Sequence, residues 1–198
     1  MGRTSNAKER ILSSALIVMR EKGYSNSSVD EILESANVGK GSFYHFFPSK
    51  ETLGEAVLEQ FATNLESKLI NDAFDKSISP LERPIKLMEL ITRELETERP
   101  ISGFLSGTIA SESNAIPESL RNLITHKFET LRIEFENTFN EAIMELQLMP
   151  NAPSKEIAGA CLAFIHGLFL MCKAYQSEEP FKRYGRLIGR FWEPYKAS

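Results

Sequence analysis

Hydrophobic residues recur along this chain with the 3.6-residue period of α-helices, and the alternation typical of β-strands persists nowhere. The first apolar stripe, at i, i+4, i+5 and i+8, comprises Ile11, Ala15, Leu16 and Met19. Gly23 follows at the position of a helix C-terminal cap. A short helix is predicted next, from Val29 to Ser35, with Ser27 or Ser28 as its N-cap. The pattern predicts an all-α protein.

Turn signals divide the rest of the chain into further helices. Ser49 is placed to cap a helix that runs toward residue 73, and the stretch 77–84, with two prolines, is the clearest break. Helices are then predicted over residues 80–98, 102–111, 117–146, 154–175 and 180–191. Pro80 suits a first helical turn, and Ser154 suits an N-cap. The last two helices are the most apolar, and a helix that is apolar nearly all round must be covered on every side. We expect a second copy of the chain to supply part of that cover.

The composition is that of an ordinary globular protein, with 198 residues, 42% of them hydrophobic and 25% charged. The longest apolar run, from Ala158 to Met171, is shorter than the roughly 20 residues that cross a bilayer. The first ten residues hold no apolar segment suited to a signal peptide. We therefore predict a cytoplasmic protein without a membrane partner.

Charge is distributed unevenly along the chain. The whole sequence carries a formal net charge of −4. Residues 1–50 carry seven basic against five acidic side chains, whereas residues 51–198 carry 16 against 22. A basic head on an acidic body indicates two parts with different partners, the head being suited to nucleic acid. We predict a division into residues 1–50 and 51–198.

Cysteines, histidines and sequence motifs give no sign of catalytic or metal chemistry. Cys161 and Cys172 lie in one helical pattern and are expected to be buried, inert thiols, with a redox sensor or an intersubunit disulfide as alternatives. His126 and His166 are too few and too scattered for a metal site. The chain has no nucleophile elbow, Walker loop, zinc-protease motif or dinucleotide fingerprint. We expect no enzyme, no catalytic residue, no metal and no cofactor.

The stretch GKGSFYHFFPSKETL, Gly39 to Leu53, combines four aromatic rings, a histidine and two lysines. At about 100° per residue, a helix places its three phenylalanines, Phe43, Phe46 and Phe47, in one apolar arc, which we expect to pack in the core. The opposite arc carries Lys40, Gly41, Ser42, Tyr44 and His45. Glycine permits close approach of a backbone to phosphate, lysine neutralises it, and the other three side chains can contact sugars or base edges.

The helix before this stretch completes a helix-turn-helix pattern, in which the second helix enters the major groove of DNA. Ser28, at the N-terminus of the first of the two helices, could donate to a phosphate, as helix N-termini do. The sequence therefore predicts a DNA-binding head that ends near Pro48.

The stretch SSVDEILESANVGKGSFYHFFPSKETLGEAV resembles the DNA-binding signature of the TetR (tetracycline-repressor-like) family of one-component transcriptional regulators. The resemblance implies nine or ten helices: a three-helix helix-turn-helix head, and a body that binds a ligand and dimerises. It implies that Lys40, Gly41, Ser42, Tyr44 and His45 face the major groove or its backbone, and that Ser28 and Lys50 hold phosphates. Asn37 stands where the family usually has Gly, a position of near left-handed geometry that Asn tolerates better than most residues. Gly39 stands where a capping Ser is common, so we expect altered DNA affinity.

For the body, the resemblance is weaker. The segment SGFLSGTIASE, Ser102 to Glu112, is similar to one branch of the family, but the cysteine that senses electrophiles in some of its members is absent. Candidate ligand-lining residues are Phe104, Phe128, Phe135, Phe164, His166 and Phe169.

The resemblance implies a homodimeric repressor, formed through the last two helices, that leaves a palindromic double-stranded DNA operator when a small apolar or amphipathic effector binds. A protein of the same fold without an effector, or one acting as an activator, is the alternative. A protein-interaction module would bind DNA without salt dependence or not at all.

Overall fold

The computed structural model describes residues 2–61, 67–97, 105–112 and 115–197. They form α1 (Gly2–Lys22), α2 (Val29–Ala36), α3 (Lys40–Phe46), α4 (Lys50–Phe61), α5 (Ser67–Ala73), α6 (Arg83–Thr97), α7 (Leu105–Ala110), α8 (Glu118–Met144), α9 (Ser154–Tyr175) and α10 (Glu179–Tyr184). Three 3-10 helices, Pro80–Glu82, Gly185–Phe191 and Glu193–Tyr195, complete the described elements. The all-α prediction is confirmed: the described ranges contain one isolated β-bridge, Leu148 with Lys196, and no strand.

The chain divides into two compact units. Unit 1 comprises Met1–Asn64 with Phe104–Thr125, and unit 2 comprises Leu65–Gly103 with His126–Ser198. The predicted division of function at residue 50 stays a prediction.

Unit 1 is built around the apolar stripe of α1. Ile11, Ala15 and Met19 are fully buried, as the periodicity predicts. α1 ends at Lys22, and Gly23 follows with φ +84°, while its amide donates to the Met19 carbonyl. Leu53, Val57 and Leu58 of α4 are also buried. The predicted helix toward residue 73 corresponds to α4 and α5, and residues 62–66 lie outside the described ranges.

Unit 2 packs α6, α9, α10 and the C-terminal 3-10 turns around aromatic rings. Phe139 lies 5.3 Å from the ring of Trp192, and Phe74 lies 5.2 Å from that of Phe135. The backbone ties the chain end to the segment after α8, because Met149 donates to Tyr195 and Ala197 donates to Gln147.

An ion pair between a buried guanidinium and a half-buried carboxylate lies at the start of α6. Arg83 is 1% exposed, and its guanidinium donates to both oxygens of Glu141, at 2.6 and 3.0 Å. Lys76 donates to the same carboxylate at 2.5 Å. Hydrogen bonds from Arg83 and Lys76 lower the pKa of Glu141 to about 2. Within unit 2 this carboxylate therefore stays ionised at any ordinary pH.

α9 is the one described helix long and apolar enough to cross a membrane by length and composition, a test that a core helix also meets. It spans 22 residues because helical geometry continues beyond the apolar run at both ends. Ile157, Cys161, Ile165, Leu168 and Cys172 are buried on one side of it. The prediction that both cysteines are buried is confirmed.

Two predicted details of unit 2 are wrong. Ser154 is the first residue of α9 rather than its cap, since Pro153 holds the N-cap position and makes no side-chain cap bond. The helix predicted over residues 180–191 is α-helical only to Tyr184 and continues as a 3-10 helix. The apolar period alone does not distinguish these two helix types over so short a segment.

Candidate nucleic-acid interface

α2 and α3 form the helix-turn-helix, and local capping sets both of their ends. The Ser28 hydroxyl accepts from the Glu31 amide at 3.1 Å, which caps α2 as predicted. Asn37 ends α2 with φ 50° and ψ 52°, the left-handed conformation expected from the sequence. Its amide and that of Val38 donate to the Glu34 and Leu33 carbonyls. The turn into α3 is therefore fixed by backbone hydrogen bonds.

Side chains from α1 hold α2 in place. The buried Ser14 hydroxyl donates to the Ile32 carbonyl at 2.9 Å. The Arg10 guanidinium donates to the Ala36 carbonyl, with Nε at 2.9 Å, and also to the Asn37 carbonyl. A cation at a helix C-terminus satisfies its last carbonyls and opposes the negative end of the helix dipole. Arg10 thus stabilises the end of α2 at the turn.

The seven residues of α3 are too few to be stable alone, and rings anchor them. Phe43 is fully buried and Phe47 is 2% exposed, as the helical wheel predicts. Phe46 is half-buried, with its ring against His45 at 4.9 Å, so the prediction that it belongs to the core is wrong. It sits at the edge of the apolar arc, at the last residue of α3, where coverage is incomplete.

Five polar or small residues occupy the outer side of α3. Lys40, Gly41, Ser42, Tyr44 and His45 are all exposed, and Tyr44 is 62% exposed. An added Cβ at Gly39 or Gly41 would meet nothing within 4 Å. Gly39 caps α3 through its backbone alone, since it has no side chain to accept a bond. A groove of about 670 Å³ runs beside this face, and Arg10, Asn37, Ser42 and His45 are among its lining residues.

The two predicted cations of the interface, Lys40 and Lys50, have different partners and different burial. Lys40 pairs with Asp30 on α2, with Nζ 2.8 Å from Oδ1. The hydrogen bond and charge of Asp30 raise the pKa of Lys40. Lys50 is half-buried, with Nζ 3.4 Å from the Ser25 carbonyl oxygen and 4.4 Å above the Tyr24 ring. Burial lowers the pKa of Lys50.

Comparison with known proteins decides what this helix-turn-helix belongs to. Residues 11–57 match the profile of bacterial regulatory proteins of the tetR family. Residues 80–187 match the C-terminal domain of LmrA/YxaF-like transcriptional regulators. The chain belongs to the TetR family of DNA-binding transcriptional regulators. Proteins of this family regulate transcription and are not enzymes.

Relatives of this TetR-family chain align with it over most of its length. The transcriptional regulator AcuR of Cereibacter sphaeroides is 32% identical over 191 residues, which cover 94% of this chain and 85% of AcuR. The crystal structure of a regulatory protein TetR from Rhodobacter sphaeroides has a TM-score of 0.86 and 30% identity, with coverage of 94% and 98%. The regulator CifR, solved with 26-bp double-strand operator DNA, has a TM-score of 0.82 at 20% identity, with coverage of 93% and 95%.

The predicted ligand-lining residues fall into separate aromatic contacts in unit 2. Phe128 and His166 lie 4.4 Å apart, Phe164 contacts Phe191, and Phe169 contacts Phe181. Phe135 is fully buried between other rings. Phe104 lies outside the described residues.

The histidine of this group has an unusual environment. The Nε2 atom of His166 is buried and has no hydrogen-bond partner among the described residues. Burial lowers the pKa of His166 to about 4, so the ring is neutral near pH 7. No group of three metal-ligating side chains occurs within the part of the chain that the structure describes. A groove of about 420 Å³ elsewhere in unit 2 is lined by charged side chains, including Glu89, Arg93 and Arg186.

Sequence reasoning missed three residues of unit 1. Arg10 and Asp30 give no local signal, because their partners lie 26 and 10 positions away. Glu112 did carry a signal, since it ends the segment that resembles one branch of the family. Its carboxylate accepts hydrogen bonds from the backbone amides of Tyr24 and Ser25, both at 2.6 Å.

Proposed function

We propose that this TetR-family chain is a cytoplasmic one-component repressor that binds a palindromic operator as a homodimer and leaves it when a small apolar or amphipathic effector binds. The observation that carries the DNA-binding part is the outer face of α3. There Lys40, Gly41, Ser42, Tyr44 and His45 are exposed together while Phe43 anchors the helix from below. A solvated face of a short helix ordinarily carries acidic residues as well, and α3 has none.

In this proposal α3 enters the major groove. Tyr44 and His45 reach base edges or sugars, and Gly41 permits close backbone approach. Lys40 exchanges its exposed partner Asp30 for DNA, and Ser28 and Lys50 bind phosphates of the flanking backbone. Family membership and the DNA complex of a protein with the same fold support this arrangement.

Dimerisation through α9 and the segment that follows it is supported by apolar groups on the surface of unit 2. Leu170 is 66% exposed and Leu187 is 48% exposed. On α9, added Cβ atoms at Gly159 and Gly167 would meet nothing within 4 Å, so a second helix has room to approach. Two heads in such a dimer would contact half-sites about 34 Å apart.

Effector binding in unit 2 is supported by His166. A buried ring nitrogen without a partner is costly, and a ligand that donates a hydrogen bond to Nε2 while covering Phe128 would remove that cost. A melting-temperature screen with small apolar compounds separates this proposal from a regulator without an effector, since a ligand bound by the folded state raises its stability.

The experiment that tests DNA binding starts from duplexes selected by the wild-type chain from a randomised pool. We expect Tyr44→Ala to weaken binding of the selected duplex by about 5- to 150-fold, the range for a lost base contact. Lys50→Ala should weaken it and lower the salt slope of the binding constant by about 0.9 for each head.

Lys68→Ala is the control, because it removes one positive charge from an exposed site on α5, outside both proposed interfaces. Its affinity and salt slope should match those of the wild type. Equal affinities for wild type and both head variants at moderate salt would refute the proposed interface, and a wild-type chain that selects no duplex would refute DNA binding altogether.

A further inference from the structure

The turn between α1 and α2 is built around a carboxylate from another part of unit 1. Glu112 follows α7, and its own amide donates to the Ile109 carbonyl at 3.0 Å. One carboxylate oxygen accepts from the Tyr24 amide and the other from the Ser25 amide, each at 2.6 Å. Hydrogen bonds to an ionised acceptor are about twice as strong as neutral ones. Both oxygens of Glu112 are thus used to hold two consecutive residues of the turn.

Gly23, the residue before this pair, has the conformation and the empty space that the carboxylate needs. Its φ of +84° is one that side chains with a Cβ rarely adopt. A Cβ added to Gly23 would lie 1.8 Å from Oε1 of Glu112 and 2.8 Å from its Cδ. Any other residue at position 23 would therefore displace the carboxylate.

The same turn holds a cation of the proposed DNA interface. The Ser25 carbonyl and the Tyr24 ring are the contacts of the Lys50 ammonium. Tyr24 also packs against α4. A Cβ added to Gly54 of that helix would lie only 3.0 Å from the Tyr24 ring. Ser28, the N-cap of α2, follows three residues after Ser25. Moving the turn would move both predicted phosphate contacts together.

We propose that Glu112 is a positioning residue for DNA recognition: by holding the amides of Tyr24 and Ser25, it sets where Lys50 and Ser28 meet the phosphate backbone. This inference rests on the proposed DNA-binding function.

The test compares Glu112→Gln with the wild type on the selected duplex across a series of salt concentrations. The amide keeps the shape of the side chain but presents an NH₂ group to one of the two backbone amides. We expect operator affinity to fall about tenfold, within the 5- to 150-fold range of coupling between sites. We also expect the salt slope to fall by about 0.9 for each head whose lysine contact is lost. Loss of folded protein lowers the active fraction but leaves this slope unchanged.

Two further variants control the comparison. Glu118→Gln removes one exposed negative charge from the start of α8 and should leave affinity and slope as in the wild type. Gly23→Ala should reproduce the reduced slope, since its Cβ displaces the carboxylate. Combining Gly23→Ala with Glu112→Gln should add little to either single change, because both remove the same contact.

Each outcome bears on one of the two proposals. A wild-type chain that selects no duplex removes the DNA-binding function and the inference with it. If the wild type binds and Glu112→Gln has the wild-type salt slope, whether or not its affinity is lower, then Glu112 is only structural and the inference alone is overturned. A reduced slope in Glu112→Gln but not in Gly23→Ala would also overturn it.

Discussion

Glu112 in unit 1 and Glu141 in unit 2 each use both carboxylate oxygens, but on different partners. Glu141 binds the guanidinium of Arg83, which is 1% exposed. Glu112 binds two backbone amides in a turn whose Ser25 is exposed. Losing the first leaves a buried cation uncompensated, whereas losing the second leaves two turn amides, of which that of the exposed Ser25 is open to water. The comparison shows that a carboxylate bound through both oxygens can stabilise the fold in one unit and position a turn in the other.

The largest expected effect is on the stability of unit 2. Glu141→Gln should lower the free energy of unfolding by about 3 kcal/mol at pH 7, because Arg83 loses its charged partner within the core. Urea unfolding followed by circular dichroism measures this. Glu82→Gln, at an exposed site beside Arg83, is the matched control and should change the free energy by less than about 0.5 kcal/mol. A loss below about 1 kcal/mol for Glu141→Gln would contradict the assignment.

Lowering the pH should remove the contribution of Glu141 to the free energy of unfolding of the wild-type chain. The pKa of Glu141 is lowered from 4.5 to about 2 in the folded chain, so its contribution is complete above pH 4.5. It is lost as the pH falls from 4.5 toward 2, because over this range the unfolded state binds a proton that the folded state does not. We expect the difference in unfolding free energy between wild type and Glu141→Gln to narrow from about 3 kcal/mol toward zero over this window. Urea unfolding at pH 5, 4, 3 and 2 follows it, and a constant difference would contradict the stated pKa.

The smallest expected effect sharpens the comparison. Glu112→Gln should lower the free energy of unfolding by only about 0.5–1 kcal/mol at pH 7, because the Gln side chain keeps one oxygen to accept from an amide and the amide of the exposed Ser25 can bond to water. Measured beside Glu141→Gln under the same conditions, it should be several-fold less destabilising. A loss as large as that of Glu141→Gln would make the two carboxylates equivalent and remove the contrast.

The sequence predicted features that depend on neighbouring residues and missed features that depend on the rest of the fold. Local signals predicted a serine cap of α2 at position 27 or 28 and the burial of Phe43, and the family resemblance indicated left-handed geometry at Asn37. The outward face of α3 followed from helical period alone. The incomplete burial of Phe46 and the change to a 3-10 helix at Gly185 were missed, because the apolar period determines neither how fully a ring is covered nor which helix type forms.

Glu112 and Glu141 show the same limit more sharply. Their partners lie 88 and 58 positions away, and nothing in the spacing of one carboxylate indicates a distant turn or arginine. The sequence predicted that Gly23 caps a helix, which is confirmed. Its second role, leaving space for the Glu112 carboxylate, is visible only in the fold that brings the two residues together.

The two native thiols have a practical consequence for measuring this protein. Cys161 and Cys172 are the chain's only cysteines, both are buried, and burial raises the pKa of each. Because the thiolate is the reactive form, maleimides and nitroxide reagents should leave them unlabelled. One cysteine introduced on the exposed side of α1 would then carry a single probe per chain. In the proposed homodimer, pulsed electron resonance between two such probes would follow the distance between heads without rebuilding the native sequence around the label.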